Sequence, residues 1–260
     1  MPLSPDKKYH SRYFHFKYTL EALKGVRGKI LDVGCGWGGI SAALKRKRPD
    51  LKIFGCDINH EIAEYFKNEP QRSGIRFFAA DAQNLPFTDQ EFAAVITLDV
   101  LEHLKNPKKA LLEVNRVLKS DGIFHLVVPL EGGLTTFDGW LKKIFNLNLK
   151  KTPIGHRRQF SLSQVKKMLA GSGFEIKKIR FSYHFFYQLI SLIYFIYLAV
   201  FQKGKYLALV SRKKTLSKII LGLTILFGWL IFLESSFLSR VSGQTAHITS
   251  YKFRTLSFPA

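Results

Sequence analysis

Apolar positions along this 260-residue chain change their spacing in a regular order. Between Tyr9 and Lys24 they fall at Tyr13, Phe16, Leu20 and Leu23, which predicts an amphipathic entry helix ended by Gly25 and Gly28. From Lys29 onward, short apolar runs alternate with segments of helical period. Strands are expected at Ile30–Val33, Lys52–Asp57, Arg76–Ala80, Phe92–Leu98 and Ile123–Val128, and helices at Gly38–Lys47, His60–Asn68 and Pro107–Lys119. Strands alternating with helices of about a dozen residues predict a doubly wound α/β domain whose parallel sheet is covered on both faces.

After Pro129 the alternation lapses. A long connection runs from Leu130 to Phe160 and contains an amphipathic basic stretch, Phe137–Lys151. Connections this long inside a compact domain usually carry function. A helix over Ser161–Ala170, stopped by Gly173, leads to a strand over Phe174–Tyr183, and a last strand is expected at Ala246–Arg254. Two apolar runs, Phe185–Phe201 and Ile219–Leu233, interrupt the pattern between them. The expected organisation is one domain of residues 1–183 and 243–260, with 184–242 inserted as a hydrophobic helical pair between the last two strands.

Composition adds a partner class. Forty Lys and Arg against 19 Asp and Glu leave a formal charge of +21, which favours an anionic partner such as nucleic acid or acidic lipid. From Leu141 to Arg180 there are eleven basic residues and one acid, Glu175, next to the most apolar part of the chain. That adjacency favours a lipid surface over RNA. As helices the apolar runs would be about 26 Å and 22 Å long, short of a hydrocarbon core of about 30 Å. The segment Gln202–Lys218 between them holds six Lys and Arg and no acid, so the expectation is attachment to the cytoplasmic face of a membrane. A monotopic pair is favoured over a short two-span hairpin. Met1–Phe14 is charged and lacks an apolar run, so no secretory signal peptide is read there. Two cysteines, Cys35 and Cys56, offer neither a disulfide framework nor a zinc pattern.

The chemistry concentrates where strands end. Ile30–Gly39 (ILDVGCGWGG) puts glycines at the turn from the first strand into a helix, where backbone can approach a ligand and free amides point outward. Gly34, Gly36 and Gly39 also satisfy a dinucleotide spacing, with Asp57 about 20 residues on, so the turn alone leaves the cofactor open.

Further motifs follow in order: Gly55-Cys56-Asp57, then Ala80–Phe87 (ADAQNLPF), Leu98–Leu104 (LDVLEHL) and Arg116–Gly122 (RVLKSDG). Over Gly28 to Pro129 the chain resembles class I S-adenosylmethionine-dependent methyltransferases, in the group that includes ubiquinone and menaquinone biosynthesis enzymes. The resemblance implies a Rossmann-like seven-stranded sheet and S-adenosyl-L-methionine as cofactor. It also implies that Gly34, Gly36 and Gly38 line the methionine part, with Asp32 orienting its amino group. Asp57 would take the ribose hydroxyls and Asp81 the adenine amino group, with Ala82 and Leu98 also among the cofactor-binding residues.

Asp99, Glu102 and His103 lie at the end of the fourth strand, where doubly wound sheets bind ligands. Their D-x-x-E-H pattern resembles the E-x-x-E-H metal site of ubiquinone O-methyltransferases and small-RNA 2′-O-methyltransferases, with His156 reminiscent of the last ligand. The resemblance implies a magnesium or manganese site at Asp99, Glu102, His103 and His156, with His103 and His156 as bases if no metal is used. The alternative is that Glu102 and His103 only shape the pocket or cap the following helix. Arg157 and Arg158 suit a phosphate or carboxylate of the substrate, or form a solvated loop before Ser161 as helix cap. The expected activity is O-methylation of a lipid-like or lipid-linked small molecule. An RNA 2′-O-methyltransferase and a catalytically silent membrane adaptor stand as alternatives.

Overall fold

A computed structural model describes residues 4–68, 75–132, 136–145, 155–191 and 214–253. The strands are β1 (Lys29–Val33), β2 (Lys52–Asp57), β3 (Arg76–Ala79), β4 (Phe92–Leu98), β5 (Leu118–Pro129), β6 (Phe174–Ser182) and β7 (Thr245–Lys252). They form a seven-stranded sheet in the order β3-β2-β1-β4-β5-β7-β6. β1 to β5 pair in parallel, whereas β7 enters antiparallel between β5 and β6. Strand order reverses between β1 and β4, so the crevice beyond their carboxyl ends is the natural ligand position.

Helices α1 (Tyr13–Ala22), α2 (Gly39–Lys47) and α3 (His60–Asn68) cover one face, and α4 (Pro107–Val117) and α6 (Leu162–Ala170) the other; α5 (Phe137–Phe145) lies in the long connection. One core layer holds Ile30, Leu44, Ile96 and Val127, the opposite one Leu31, Val95, Leu111 and Leu126. Neighbouring strand residues thus serve opposite faces. α4 starts because Asn106 accepts from the Lys109 amide and Pro107 occupies the first turn. α6 starts on a reciprocal capping box between Ser161 and Gln164.

The fifth strand differs from expectation. α4 ends at Val117 and β5 already begins at Leu118, which pairs with Phe92. Lys119, Ser120 and Asp121 are exposed and polar, so hydropathy does not reveal them. Gly122 sits among them because a Cβ there would come within 2.6 Å of Leu118.

The insertion is present between β6 and β7, as residues 185–191 of one helix and as α7 (Lys214–Phe237). Much of the first apolar run and of the basic segment after it, residues 192–213, lies outside the described residues, as does 146–151 of the basic stretch. No helix among the described residues is long and apolar enough to cross a membrane, which corrects the expected two-span or membrane-embedded arrangement. One face of α7 packs on protein, while Leu226, Trp229, Leu233 and Phe237 stay exposed. The Phe232 ring lies 5.5 Å from Tyr13 and 6.1 Å from Phe14, and a side chain at Gly228 would run into the Tyr9 backbone. Glu234 accepts from the Phe185 and Phe186 amides, capping the helix that begins at Phe185, and Ser235 accepts from the Tyr183 amide. α7 and α1 therefore share a small core with Tyr183.

Candidate active site

Beyond β1 the chain turns through Gly34, Gly36 and Gly38, all with left-handed backbone (φ 70°, 51° and 70°). The Gly34 and Cys35 amides donate to the Cys56 carbonyl, tying the turn to the end of β2. Gly34 has a second constraint, since a Cβ would fall 2.5 Å from Val100 Cγ2. The Gly36 amide donates to Asp57 Oδ2 at 3.0 Å and the Asn59 amide to Asp57 Oδ1 at 3.0 Å. A carboxylate has about four acceptor positions, so Asp57 retains capacity for a ligand.

Asp32 is buried under this turn. Ser41 donates to its Oδ2 at 2.5 Å, while Oδ1 is buried without a partner. Burial pushes its carboxyl up to about 7, the Ser41 bond only partly opposing that. Asp81, after β3, accepts from the Gln83 amide at 2.8 Å; Ala82 is buried beside it and Leu98 lies buried in the sheet core. A cavity of about 480 Å³ runs past Gly34, Asp57, Asp81, Ala82, Val100 and Arg157. Its wall supplies carboxylates, glycine backbone and apolar surface, and a buried carboxyl oxygen awaits a donor nearby. That donor set fits S-adenosylmethionine, which brings an ammonium, hydroxyls and an adenine amino group but no phosphate.

Asp99 also walls this cavity, and it equally walls a second one of about 230 Å³ lined by Arg12, His15, Glu102, Glu131, His156 and Tyr183. Asp99 has φ 57°, a strained conformation for a residue with a Cβ, and it turns the carboxylate towards α1. There Oδ2 meets His15 Nε2 at 2.8 Å and Arg12 at 3.7 Å. Burial raises the Asp99 carboxyl, but His15, Arg12 and His156 outweigh it and hold the group below its ordinary value. Glu102 is the opposite case. It is fully buried with neither oxygen hydrogen-bonded, and burial together with the Asp99 and Glu131 charges drives its carboxyl well above the ordinary range.

His156 Nδ1 is held by Glu131 at 2.8 Å, leaving Nε2 3.9 Å from Glu102. His103 bonds the Gly155 carbonyl through Nδ1 at 3.2 Å, and its ring centre is 5.0 Å from that of His156. Ligand atoms of Glu102, His103 and His156 lie within 4.8 Å of one another. Asp99 is outside this group, its carboxylate turned to His15. Arg157 borders the cavity beside Asp57 and Asp81, whereas Arg158 donates to the Leu104 and Lys105 carbonyls and fastens the loop.

Sequence reasoning missed Arg12, His15, Glu131 and Tyr183. Glu131 carries a usable signal, since it sits two residues past β5 on the ligand edge of the sheet. His15 carries none, because its partners Asp99 and Tyr183 are 84 and 168 residues away.

Residues 31–126 match the family described as a methyltransferase domain. The chain belongs to the class I S-adenosylmethionine-dependent methyltransferases. An uncharacterized protein of Methanocaldococcus jannaschii is 31% identical over 173 residues, 65% of this chain and 77% of that one. A fatty-acid O-methyltransferase of Mycolicibacterium smegmatis is 31% identical over 48% of this chain, which spans only 46% of that enzyme. A solved structure of a methyltransferase of undetermined role from Bacillus halodurans superposes with TM-score 0.58 at 20% identity, covering 91% of this methyltransferase and 97% of that chain, a likeness of fold alone.

Proposed function

We propose that this methyltransferase carries a methyl group to oxygen on a lipid-like or lipid-linked small molecule. The observation that carries the reading is Asp99 as common wall of the two cavities, so cofactor and acceptor meet there. When bound, S-adenosylmethionine supplies an electrophilic methyl on a sulfonium centre. Asp32 Oδ1 accepts a hydrogen bond from the ammonium group of the methionine part, and Gly34, Gly36 and Gly38 give that part room. Asp57 takes the ribose hydroxyls, and Asp81 with Ala82 defines the adenine end, whereas Leu98 lies in the core behind the cavity wall. Alignment across the Asp99 boundary, with water excluded, supplies most of the acceleration for such an in-line transfer.

His156 faces the acceptor cavity and is positioned to accept a proton from an acceptor hydroxyl. Tyr187 lines the same cavity from the helix that exposes Phe185, Phe186 and Leu189, which supports an apolar tail on the acceptor. Arg157, at the cofactor cavity's edge, suits a carboxylate or phosphate on the acceptor. The related fatty-acid O-methyltransferase agrees with this class. Because Glu102, His103 and His156 cluster, a divalent ion is a second reading for how the acceptor oxygen is activated. Mass spectrometry of lipid extracts incubated with the protein and methyl-labelled cofactor tests the function. Label in an O-methylated lipid is expected, and label only in RNA or in no extract component overturns it. Dialysis against chelator separates the readings, since retained activity removes the metal and loss restored by magnesium or manganese supports it.

A further inference from the structure

A third cavity, of about 290 Å³, shares no lining residue with the other two and lies between the last turns of α1 and the outer strands β5, β7 and β6. Pairing sets three rows side by side on this face: Val127–His247–Arg180, His125–Thr249–Lys178 and Ile123–Tyr251. Nearer the sheet centre the same face is apolar, around Ile30, Ile96 and Val127. Here it becomes polar although α1 covers it. His125 and His247 are each 1% exposed. His125 Nδ1 pairs with Thr249 Oγ1 at 3.1 Å and His247 Nε2 with Ser182 Oγ at 2.8 Å, while His125 Nε2 and His247 Nδ1 are buried without a partner. Burial lowers both imidazoles, His125 to about 3, so both rings are neutral and each offers one unused hydrogen-bonding nitrogen. Buried polar atoms without partners are rare and call for an occupant. The mouth is cationic, with Lys24, Lys177, Lys178 and Arg180 against the single acid Glu21, which pairs with Lys178 at 3.3 Å.

We propose that this cavity is a second ligand site, taking a small oxyanion, phosphate or carboxylate, that also carries hydroxyl groups. The anion sits among Lys24, Lys177 and Arg180, and the hydroxyls reach the free nitrogens of His125 and His247. The volume corresponds to about ten waters, enough for a short polyol phosphate or hydroxy acid. His247 also touches the ring of His15 at 5.4 Å between centres, and His15 bonds Asp99, so an occupant is two side chains from the methyl-transfer boundary.

The test is calorimetry on the full chain with glycerol 3-phosphate and citrate as probes, against glycerol and sodium sulfate at equal ionic strength. Saturable binding of one or both oxyanions is expected, the stronger naming the source, with at least tenfold loss in Lys177→Ala/Arg180→Ala. Imidazole nitrogen resonances of His125 and His247 should move on saturation. S-adenosylhomocysteine should not compete. The proposal is overturned if neither probe saturates, if sulfate binds equally well, if the paired variant binds unchanged, if the two imidazoles stay still, or if S-adenosylhomocysteine displaces the probe. None of these readouts depends on methyl transfer, so they stand apart from the fate of the proposed acceptor.

Discussion

Replacing Gly34 by Ala isolates the geometry on which the cofactor turn depends. At φ 70° a Cβ costs about 1–2 kcal/mol in the left-handed region. The same Cβ would lie 2.5 Å from Val100 Cγ2, so Val100 must move, an overpacking cost of about 1–3 kcal/mol. Gly36 provides the control, since it too is left-handed but a Cβ there meets nothing within 4 Å. Gly36→Ala should carry only the backbone cost, reduced by the about 0.4–1 kcal/mol that alanine takes from the unfolded chain's entropy. Equilibrium urea unfolding should thus rank Gly34→Ala as the more damaging by at least about 1 kcal/mol. Val100→Ala, at a half-buried site, costs about 1 kcal/mol alone. In Gly34→Ala/Val100→Ala, however, it relieves the overlap, so a coupling of about 1 kcal/mol or more should appear. S-adenosylhomocysteine affinity should recover in the same double variant. Equal losses at the two glycines, or strict additivity with Val100→Ala, would refute the steric account.

Asp57→Ala strips an acceptor from the Gly36 and Asn59 amides and, on the proposed assignment, from the ribose, so calorimetry should register at least tenfold weaker S-adenosylhomocysteine binding; unchanged affinity contradicts the assignment. The cofactor-free protein should lose stability as pH rises from about 4 to 7. The unfolded chain releases the Asp32 proton near 3.9, whereas the folded chain, with that carboxyl at about 7, retains it, so the unfolded state binds fewer protons across this window. The Asp32 share has a slope of up to about 1.4 kcal/mol per pH unit, and urea unfolding of Asp32→Asn should show it removed. Alanine at Gly228 would stabilise an isolated helix by about 1 kcal/mol. In this chain its Cβ meets the Tyr9 backbone, so Gly228→Ala should lower the unfolding midpoint, and a rise would mean that α7 does not pack there.

Every predicted strand is present, with ends shifted by at most a few residues, because strand and helix periods are local and every parallel strand but β3 is followed by a helix. The loss of helical period at Leu118 is the exception, where backbone pairing with Phe92 overrides three polar side chains. Ser161 could be read as a cap for the same local reason, since Gln164, its partner, is three residues away. The apolar insertion misled the reading because hydropathy cannot tell a lipid neighbour from a protein one. Gly228, Glu234 and Ser235 acquire meaning only against Tyr9, Phe185 and Tyr183.

The sequence by itself determined the doubly wound order and the candidate cofactor carboxylates Asp32, Asp57 and Asp81. Each sits in a short motif at a strand end, and strand ends are set by nearby residues. Tertiary structure alone decided how the second cavity is assembled. Arg12 and His15 come from the first helix, Asp99 and Glu102 from the end of β4, Glu131 and His156 from the long connection, and Tyr183 from the end of β6. It also decided that the Glu102 carboxyl is left without a hydrogen bond while Asp99 and Glu131 have theirs, and that two neutral histidines lie under α1. These are matters of burial and of which charges meet, and both depend on contacts between residues far apart in the chain, which no local pattern encodes.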